Sequence, residues 1–329
     1  MPASGPADCD ALRLACVRRC GSRWFGATTA VAAALAVASP AGVAPAAARA
    51  PAAALAPAAA LAPAPAHLQI VALGDSYIAG NGAGSYALPD NGCHRSGAAY
   101  PERYAARLRA GGAAVDVLSL ACSGAGVSDL TRPAEPPGGT VLPAQLDQVP
   151  AAVARRADIV LLSIGGNDLG FSDVVRCLLG LPVATGCDAF FAGRRAAIAA
   201  VIRATRSALL MVGHRLPRAR VVLIGYPSLV QPACAGSSLN AVIDAGQRAV
   251  EAAQSALVAG LPGRFRFVSL RSTYSGHGPC APPSRQFVHG LVLLPFFETF
   301  HPNRAGHQAT ADLLFRLLGP AGRGLSRSG

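Results

Sequence analysis

The chain has 329 residues, of which 52% are hydrophobic and 14% are charged, so it can build a sizeable hydrophobic core. Its formal net charge is +12 at pH 7. The positive charges are scattered singly or in pairs, as at Arg155–Arg156 and Arg194–Arg195, which argues against a dedicated anion site or a nucleic-acid partner.

The first 50 residues are predicted to be an export signal. A segment containing Arg18 and Arg19 precedes an apolar stretch at 25–37, and small residues follow around the Ala-Arg-Ala at 48–50. The apolar stretch is too short and too rich in alanine to be a good membrane span. We therefore expect a secreted, extracellular protein.

The next segment, at 51–66, is rich in alanine and proline and is predicted to be a flexible spacer, because this composition cannot build a core. The folded domain is expected to begin near His67 and to extend to residue 320, followed by a tail over 321–329. The sequence after residue 67 has no internal repeat and no second domain boundary.

Cysteine usage also agrees with export. Three of the nine cysteines lie in the leader and six follow it, and an even number in an exported chain indicates disulfide bonds. The sequence leaves their pairing open, but sequential pairing is favoured because Cys177 and Cys187 flank a short loop containing glycine and proline. The six cysteines are Cys93, Cys122, Cys177, Cys187, Cys234 and Cys280.

After residue 67, short apolar runs that are typical of buried strands alternate with longer helical segments. The predicted strands lie at 68–73, 115–120, 158–164, 220–224 and 265–270. The predicted helices lie at 101–109, 150–156, 189–213, 239–258 and 304–318, with Asn303 as the N-cap of the last. This alternation predicts an α/β fold whose parallel sheet is covered on both faces. Ligands of such sheets bind beyond the carboxyl ends of the strands.

Three predicted strands are followed by segments that can carry chemistry there. Gly74-Asp75-Ser76 follows the first strand and presents a hydroxyl at the sheet edge, although these residue types also form ordinary turns. Gly124 follows the second strand, where glycine allows a backbone N–H to approach a ligand or simply forms a loop. Asn167 follows the third strand and either presents its amide or caps the next helix.

A fourth segment precedes the last helix and contains a histidine. His301 is followed by Pro302, and Glu298 lies three residues upstream. A lone histidine is more often structural, but a histidine that is oriented by a third group can activate a serine. His307, on the last helix, is interpreted as a surface or packing residue and not as a second base.

These four segments, in this order over residues 67–318, resemble the SGNH, or GDSL, hydrolase superfamily. The resemblance implies a three-layer α/β sandwich with a five-stranded parallel sheet, the flavodoxin-like SGNH hydrolase fold. The leader and the six cysteines are also similar to those of the secreted actinobacterial lipases and esterases of this superfamily. That likeness implies three sequential disulfides, Cys93–Cys122, Cys177–Cys187 and Cys234–Cys280.

The resemblance also implies a role for each site residue. Ser76 would attack an ester carbonyl, and His301 would act as its base. The backbone N–H groups of Ser76 and Gly124 and the side-chain amide of Asn167 would form the oxyanion hole, whose donors hold the charge of the tetrahedral intermediate. We expect no cofactor and no metal.

The sequence departs from the family pattern at Glu298, where the family usually has aspartate. Glu298 is one methylene longer and can still reach Nδ1 of His301 to orient the ring. Some relatives in the secreted branch use a backbone carbonyl instead, here that of Glu298 or Thr299. Both alternatives remain open at this point.

The loop before His301 is the sequence feature that bears on the substrate. It carries Val288, the apolar run 291–294 and the pair Phe296–Phe297, which would either line an acyl-chain pocket or pack in the core. With the expected extracellular location, this favours a lipid ester substrate, transient contact with a lipid surface and a monomeric enzyme. A phospholipid substrate is compatible with these features.

Two other functions are compatible with parts of the sequence. The same fold hosts carbohydrate deacetylases and other short-chain acetyl esterases, so the resemblance alone does not determine the ester. A non-catalytic metal-binding surface protein is suggested by His277, Cys280 and His289, with Cys234 as a further ligand, but their spacing matches no common zinc motif. The glycine-rich segment Gly80–Gly84 lacks a nucleotide-binding pattern and is interpreted as a flexible loop beside Ser76.

Overall fold

The structure, a computed structural model, describes residues 67–136, 138–230 and 238–319. The predicted export signal, spacer and C-terminal tail, and also Cys234, lie outside these residues.

The sheet has five parallel strands in the order β2-β1-β3-β4-β5. The strands are β1 (His67–Gly74), β2 (Ala114–Ser119), β3 (Ile159–Ser163), β4 (Arg220–Ile224) and β5 (Phe265–Val268). All five coincide with predicted apolar runs, and β5 ends two residues early. The predicted α/β fold with a five-stranded parallel sheet is therefore confirmed.

Helices and turns connect the strands. The α-helices are α1 (Ser76–Ala79), α2 (Tyr100–Ala110), α3 (Ala151–Arg156), α4 (Phe171–Leu178), α5 (Cys187–Ala192), α6 (Arg194–Arg215), α7 (Ser238–Ala259), α8 (Arg271–Tyr274) and α9 (Arg304–Leu318). Three 3₁₀ turns lie at Val127–Leu130, Pro283–Arg285 and Phe296–Glu298. The side chain of Asn303 accepts from the Gly306 N–H, so it caps α9 as predicted.

One predicted helix is wrong, and one of the two alternatives for Asn167 is excluded. The single helix expected over 189–213 is two helices, α5 and α6, because the chain is interrupted at Gly193, which lies between them. Asn167 does not cap the helix that follows it, since α4 begins at Phe171 with Gly170 at its N-cap.

The core lies on both faces of the sheet because successive side chains of a strand point to opposite sides. Val71 and Leu73 of β1 pack in the cluster that includes Leu209 and Val212 of α6. Their neighbours Ile70 and Ala72 pack in the cluster formed with α2 and α9. This is the expected three-layer sandwich, and it brings the loops after β1, β2 and β3 to one edge of the sheet.

Candidate active site

The turn after β1 holds Ser76 at the edge of the sheet. Gly74 has a φ of 124°, and a Cβ at this position would lie 2.0 Å from the carbonyl oxygen of Ser163 on β3. Only glycine fits both the left-handed backbone and the close neighbour. Asp75 then caps α1 by accepting a 3.0 Å hydrogen bond from the N–H of Tyr77, so Ser76 becomes the first residue of a short, buried helix.

His301 lies directly against this serine. Its Nε2 is 2.7 Å from Oγ of Ser76, although the two residues are 225 positions apart in the sequence. Its Nδ1 is 3.0 Å from the carbonyl oxygen of Thr299. A carbonyl can only accept, so Nδ1 carries the proton and Nε2 is free to accept from the Ser76 hydroxyl.

Burial keeps the His301 ring neutral. Ser76 and His301 are each 5% exposed, and burial lowers the pKa of His301 from 6.5 to about 3. The rings of Tyr77 and Phe171 lie 4.8 and 5.3 Å from the imidazole, centroid to centroid, and enclose it. A neutral imidazole bonded to a serine hydroxyl is chemically competent to act as a general base.

Glu298 does not orient His301, which corrects one of the two alternatives raised by the sequence. Its Oε1 accepts a 2.5 Å hydrogen bond from the hydroxyl of Tyr86, and its Oε2 lies 3.9 Å from Nε2 of His289. The carboxylate therefore faces the glycine-rich loop, and the backbone of Thr299 provides the acceptor for Nδ1.

The loops that carry Gly124 and Asn167 are joined to each other at the same edge. Nδ2 of Asn167 donates to the carbonyl oxygen of Ala125 at 2.8 Å, and the carboxylate of Asp168 accepts from the Val127 N–H at 3.0 Å. Gly124 has a φ of 81°, which only glycine adopts readily. These contacts set the loop after β2 against the loop after β3.

Further hydrogen bonds hold the loop after β2 to the serine turn. The Cys122 N–H donates to the carbonyl oxygen of Gly74 at 2.9 Å. The side-chain amide of the buried Gln145 also bonds both backbone groups of Gly74, at 2.7 and 2.9 Å. The three sequence segments with Ser76, Gly124 and Asn167 are thus parts of one network.

Tyr226, which follows β4, joins two of these segments and was not identified from the sequence. Its hydroxyl donates to the carboxylate of Asp75 and accepts from the Gly166 N–H at 2.9 Å. Burial raises the pKa of Asp75 from 3.8 to about 7. A single tyrosine therefore ties the residue before Ser76 to the residue before Asn167. An isolated tyrosine after a strand has no sequence signal that would reveal this role.

Two predicted disulfides are present, and both bear on the loops around the site. Cys93–Cys122 fixes the loop that carries Gly124, and Cys177–Cys187 joins α4 to α5. Cys280 is also disulfide-bonded, while its predicted partner lies outside the described residues.

The glycine-rich loop beside Ser76 is anchored by hydrogen bonds. Nδ2 of Asn81 donates to Oγ of Ser123 at 3.0 Å, and Nε2 of His307 lies 3.3 Å from the carbonyl oxygen of Asn81. His307 is fully buried, and its Nδ1 accepts from the Tyr100 N–H at 3.2 Å. It is therefore a packing residue of this loop.

The three residues considered as metal ligands that lie in the described part of the chain are engaged elsewhere. Nδ1 of His277 lies 2.6 Å from the carbonyl oxygen of Arg285, and Nε2 of His289 lies 3.0 Å from that of Gly82. Cys280 is disulfide-bonded. Within the part of the chain that the structure describes, no group of three or more His, Cys, Asp or Glu side chains is arranged to hold a metal ion.

An apolar cavity of about 320 Å³ adjoins the aromatic side chains that enclose His301. Tyr77 and Phe171, which contact the imidazole, also line this cavity, as does Tyr226. Its far wall comes from α6 and α7, where Ile198 and Val250 contribute apolar surface. The cavity thus begins at the two rings that contact the imidazole of His301.

Comparisons with known proteins give a family match and several relatives. Residues 72–309 match the model of the GDSL-like lipase/acylhydrolase family. A lipase of Streptomyces rimosus is 32% identical over 72% of this chain and 81% of its own length, and Lipase 1 of Streptomyces coelicolor is 31% identical over the same shares.

Two solved structures are also similar to this chain. The extracellular lipase of Streptomyces rimosus has a TM-score of 0.60 at 28% identity, over 76% of this chain and 99% of that one. The phospholipase A1 of Streptomyces albidoflavus has a TM-score of 0.60 at 26% identity, over 75% and 98%.

Proposed function

We propose a mechanism and a substrate class for this chain, which belongs to the GDSL-like lipase/acylhydrolase family and is a carboxylic ester hydrolase. The proposed enzyme is an extracellular lipase or esterase that cleaves lipid esters with Ser76 as nucleophile and His301 as base. The observation that carries the proposal is the 2.7 Å contact between Nε2 of His301 and Oγ of Ser76.

In the first step, Oγ of Ser76 attacks the ester carbonyl while Nε2 of His301 takes the hydroxyl proton. The imidazolium that forms is stabilised by the Thr299 carbonyl, which accepts from Nδ1. The tetrahedral intermediate collapses, and Nε2 gives its proton to the leaving alcohol. Water then attacks the acyl-enzyme with the same base, which releases the carboxylic acid and restores Ser76.

The negative oxygen of the intermediate is assigned to three donors. They are the N–H of Ser76, the N–H of Gly124 and the second N–H of the Asn167 amide, whose first N–H donates to Ala125. This assignment is supported by the hydrogen bonds that join the three loops at one edge of the sheet. Removal of one such donor typically raises the barrier by about 3–4 kcal/mol.

The substrate proposal is a medium-length acyl chain held in the apolar cavity. A cavity of about 320 Å³ is many times the volume of about 30 Å³ that one water occupies in the liquid, so it has room for an acyl chain longer than acetyl. The lining of Tyr77 and Phe171 supports this assignment, because the same two rings contact His301. A short-chain acetyl esterase would leave this cavity unused.

The first experiment measures hydrolysis of p-nitrophenyl esters with two to twelve acyl carbons by purified wild type and variants. Ser76→Ala should lose nearly all turnover, by a factor of about 10⁶. The control Ser207→Ala, which removes an exposed hydroxyl on α6, should retain it. Equal activity of the two variants would exclude Ser76 as the nucleophile.

A second pair of variants tests the cavity. Gly246 lines the cavity, and a Cβ there meets no atom within 4 Å, so the side chain of Gly246→Leu should occupy part of the cavity and shorten the space left for an acyl chain. We expect loss of turnover on the eight- to twelve-carbon esters and unchanged turnover on acetate. Ala245→Leu, which places the same side chain at the neighbouring position outside the cavity lining, is the control. A wild-type preference for acetate alone would favour the short-chain esterase.

The domain layout is a separate part of the proposal. We propose that residues 1–50 direct export and that 51–66 connect the signal to a hydrolase domain over 67–320, with a tail over 321–329. Support comes from the arginine-containing, then apolar, leader and from a relative that is named as an extracellular lipase. The mass of the protein recovered from culture medium should correspond to loss of the leader, and recovery of the intact chain from cells alone would contradict it.

A further inference from the structure

Two loops beside His301 expose large apolar side chains. Five of the eleven exposed large apolar side chains among the described residues belong to these two loops, so the exposure is concentrated. The exposed fraction reaches 87% at Leu88 and 91% at Leu294. We call this set the apolar rim, and it consists of Leu88, Leu291, Leu293, Leu294 and Phe296. Val288 in the same segment is fully buried and belongs to the core.

The two loops meet at their bases. The Tyr86 hydroxyl donates to Glu298, and the Tyr86 ring lies 5.2 Å from the ring of Phe297. His94 stacks on Phe297 with ring centroids 3.9 Å apart. Leu88 is two residues from the first of these contacts, which is at most about 7 Å of chain. The rim residues therefore form one surface.

This surface lies next to the Ser76–His301 pair. Oγ1 of Thr299 bonds both the N–H and the carbonyl oxygen of Val292, each at 3.0 Å, and so closes the loop that carries most of the rim. The carbonyl of the same Thr299 accepts from His301. The N–H of His289 also donates to the carbonyl oxygen of His301 at 2.9 Å. The loop is thus held in place by the residues that hold the base.

The composition of the rim indicates the partner. Protein interfaces depend mainly on Trp, Tyr and Arg, and leucine is under-represented among their strongest contacts. Four leucines and one phenylalanine are instead typical of segments that insert into the boundary of a lipid layer. The two acids at the base are hydrogen-bonded within the protein, Asp90 to His94 and Glu298 to Tyr86, and neither belongs to the rim itself.

We propose that the apolar rim docks the enzyme on a phospholipid surface by inserting its leucine side chains. This inference rests on the proposed hydrolysis of lipid esters, because docking brings the buried Ser76–His301 pair to the layer that holds the substrate. Each large side chain moved from water into lipid contributes about a tenfold gain in partitioning or more. Loss of two leucines should therefore weaken binding about 100-fold.

The test measures co-sedimentation of the full protein with vesicles of diether phosphatidylcholine, whose ether bonds cannot be hydrolysed. Leu293→Ser/Leu294→Ser should lower the partition coefficient about 100-fold, and Leu88→Ser, from the other loop, about tenfold. The control Leu210→Ser/Met211→Ser removes apolar side chains that are 40% and 50% exposed on α6 and should bind like the wild type. All variants should hydrolyse soluble p-nitrophenyl butyrate at the wild-type rate.

Several results would overturn the proposal. They are a wild type that does not bind the vesicles, rim variants that bind like the wild type, and a control that loses as much binding as the rim variants. If the wild type forms an oligomer in the absence of lipid and the rim variants are monomeric, the rim binds a second copy of the chain and not a lipid surface. Failure of the proposed function can be told apart from failure of the docking proposal. The first appears as missing turnover of the soluble ester, and the second appears in vesicle binding, which is measured without catalysis.

Discussion

Tyr226→Phe should both destabilise the protein and slow catalysis. The substitution keeps the ring and removes only the hydroxyl that donates to Asp75 and accepts from Gly166. A buried N–H left without an acceptor raises the free energy of the folded state by about 1–3 kcal/mol, and loss of a bond to a charged group by about 1.5–3 kcal/mol. We expect the free energy of unfolding to fall by about 3 kcal/mol.

The size of this loss should depend on pH in a defined direction. The pKa of Asp75 is raised to about 7, and the bond from Tyr226 acts against that rise because it stabilises the charged carboxylate. Removing the bond therefore lowers the stability of the folded state more above pH 7, where Asp75 is ionised, than at pH 5, where it is protonated. Urea unfolding at pH 5 and pH 8 should therefore give the larger difference from wild type at pH 8.

Tyr226→Phe should also slow catalysis, because Asp75 and Gly166 directly precede the proposed nucleophile and the proposed amide donor. A displacement on the scale of 1 Å can lower the rate about 100-fold, so we expect kcat to fall about 10- to 100-fold with a smaller change in KM. Tyr104→Phe is the control, since the fully buried Tyr104 hydroxyl has no hydrogen-bond partner in the described residues. If both variants matched the wild type in stability and kcat, the network would have no role in positioning.

Two further substitutions test the contacts of the buried histidines. In steady-state assays, Glu298→Gln should lower kcat less than about tenfold, because the Thr299 carbonyl orients His301. Loss of an orienting carboxylate in serine proteases lowers kcat by about 10⁴, and a loss of that size here would contradict the expectation. Burial lowers the pKa of His307 from 6.5 to about 4, so its neutral form contributes stability that is lost as pH falls from 6.5 to 4, about 3 kcal/mol in total. His307→Gln has no such titrating group, so its free energy of unfolding should not show this loss. In urea unfolding, the difference between the wild type and this variant should therefore shrink by about 3 kcal/mol between pH 6.5 and pH 4. A difference that stays constant with pH would show that the pKa of His307 is the same in the folded and unfolded states.

The strands were predictable from the sequence, while the short helices α1 and α4 were not. A strand buried on both faces of a parallel sheet must be apolar along its whole length, and β1, β3 and β4 carry that signal in consecutive residues. Helices α1 and α4 have only four and eight residues, too few for a periodic apolar pattern to stand out. Tertiary contacts stabilise them, and these are not visible in a local window of sequence.

Glu298 illustrates a limit of motif reading at the site itself. A glutamate three residues before a histidine can reach the ring or turn away, and the two outcomes differ only in the path of the intervening backbone. In the fold, the 3₁₀ turn at Phe296–Glu298 directs the carboxylate to Tyr86 and leaves the carbonyl of Thr299 facing Nδ1. The local sequence is compatible with both orientations of the Glu298 side chain.

The sequence by itself determined the chemistry that is available at the carboxyl edge of the sheet. Apolar runs set the strands, and the residues that follow them supplied a hydroxyl, a flexible glycine and an amide. Only the tertiary structure decided how these groups are placed, because the imidazole that contacts the Ser76 hydroxyl comes from a loop 225 residues away and its Nδ1 partner is a backbone oxygen. The contacts of Tyr226 and the exposure of the apolar rim are likewise products of chain packing, since they depend on which distant loops meet.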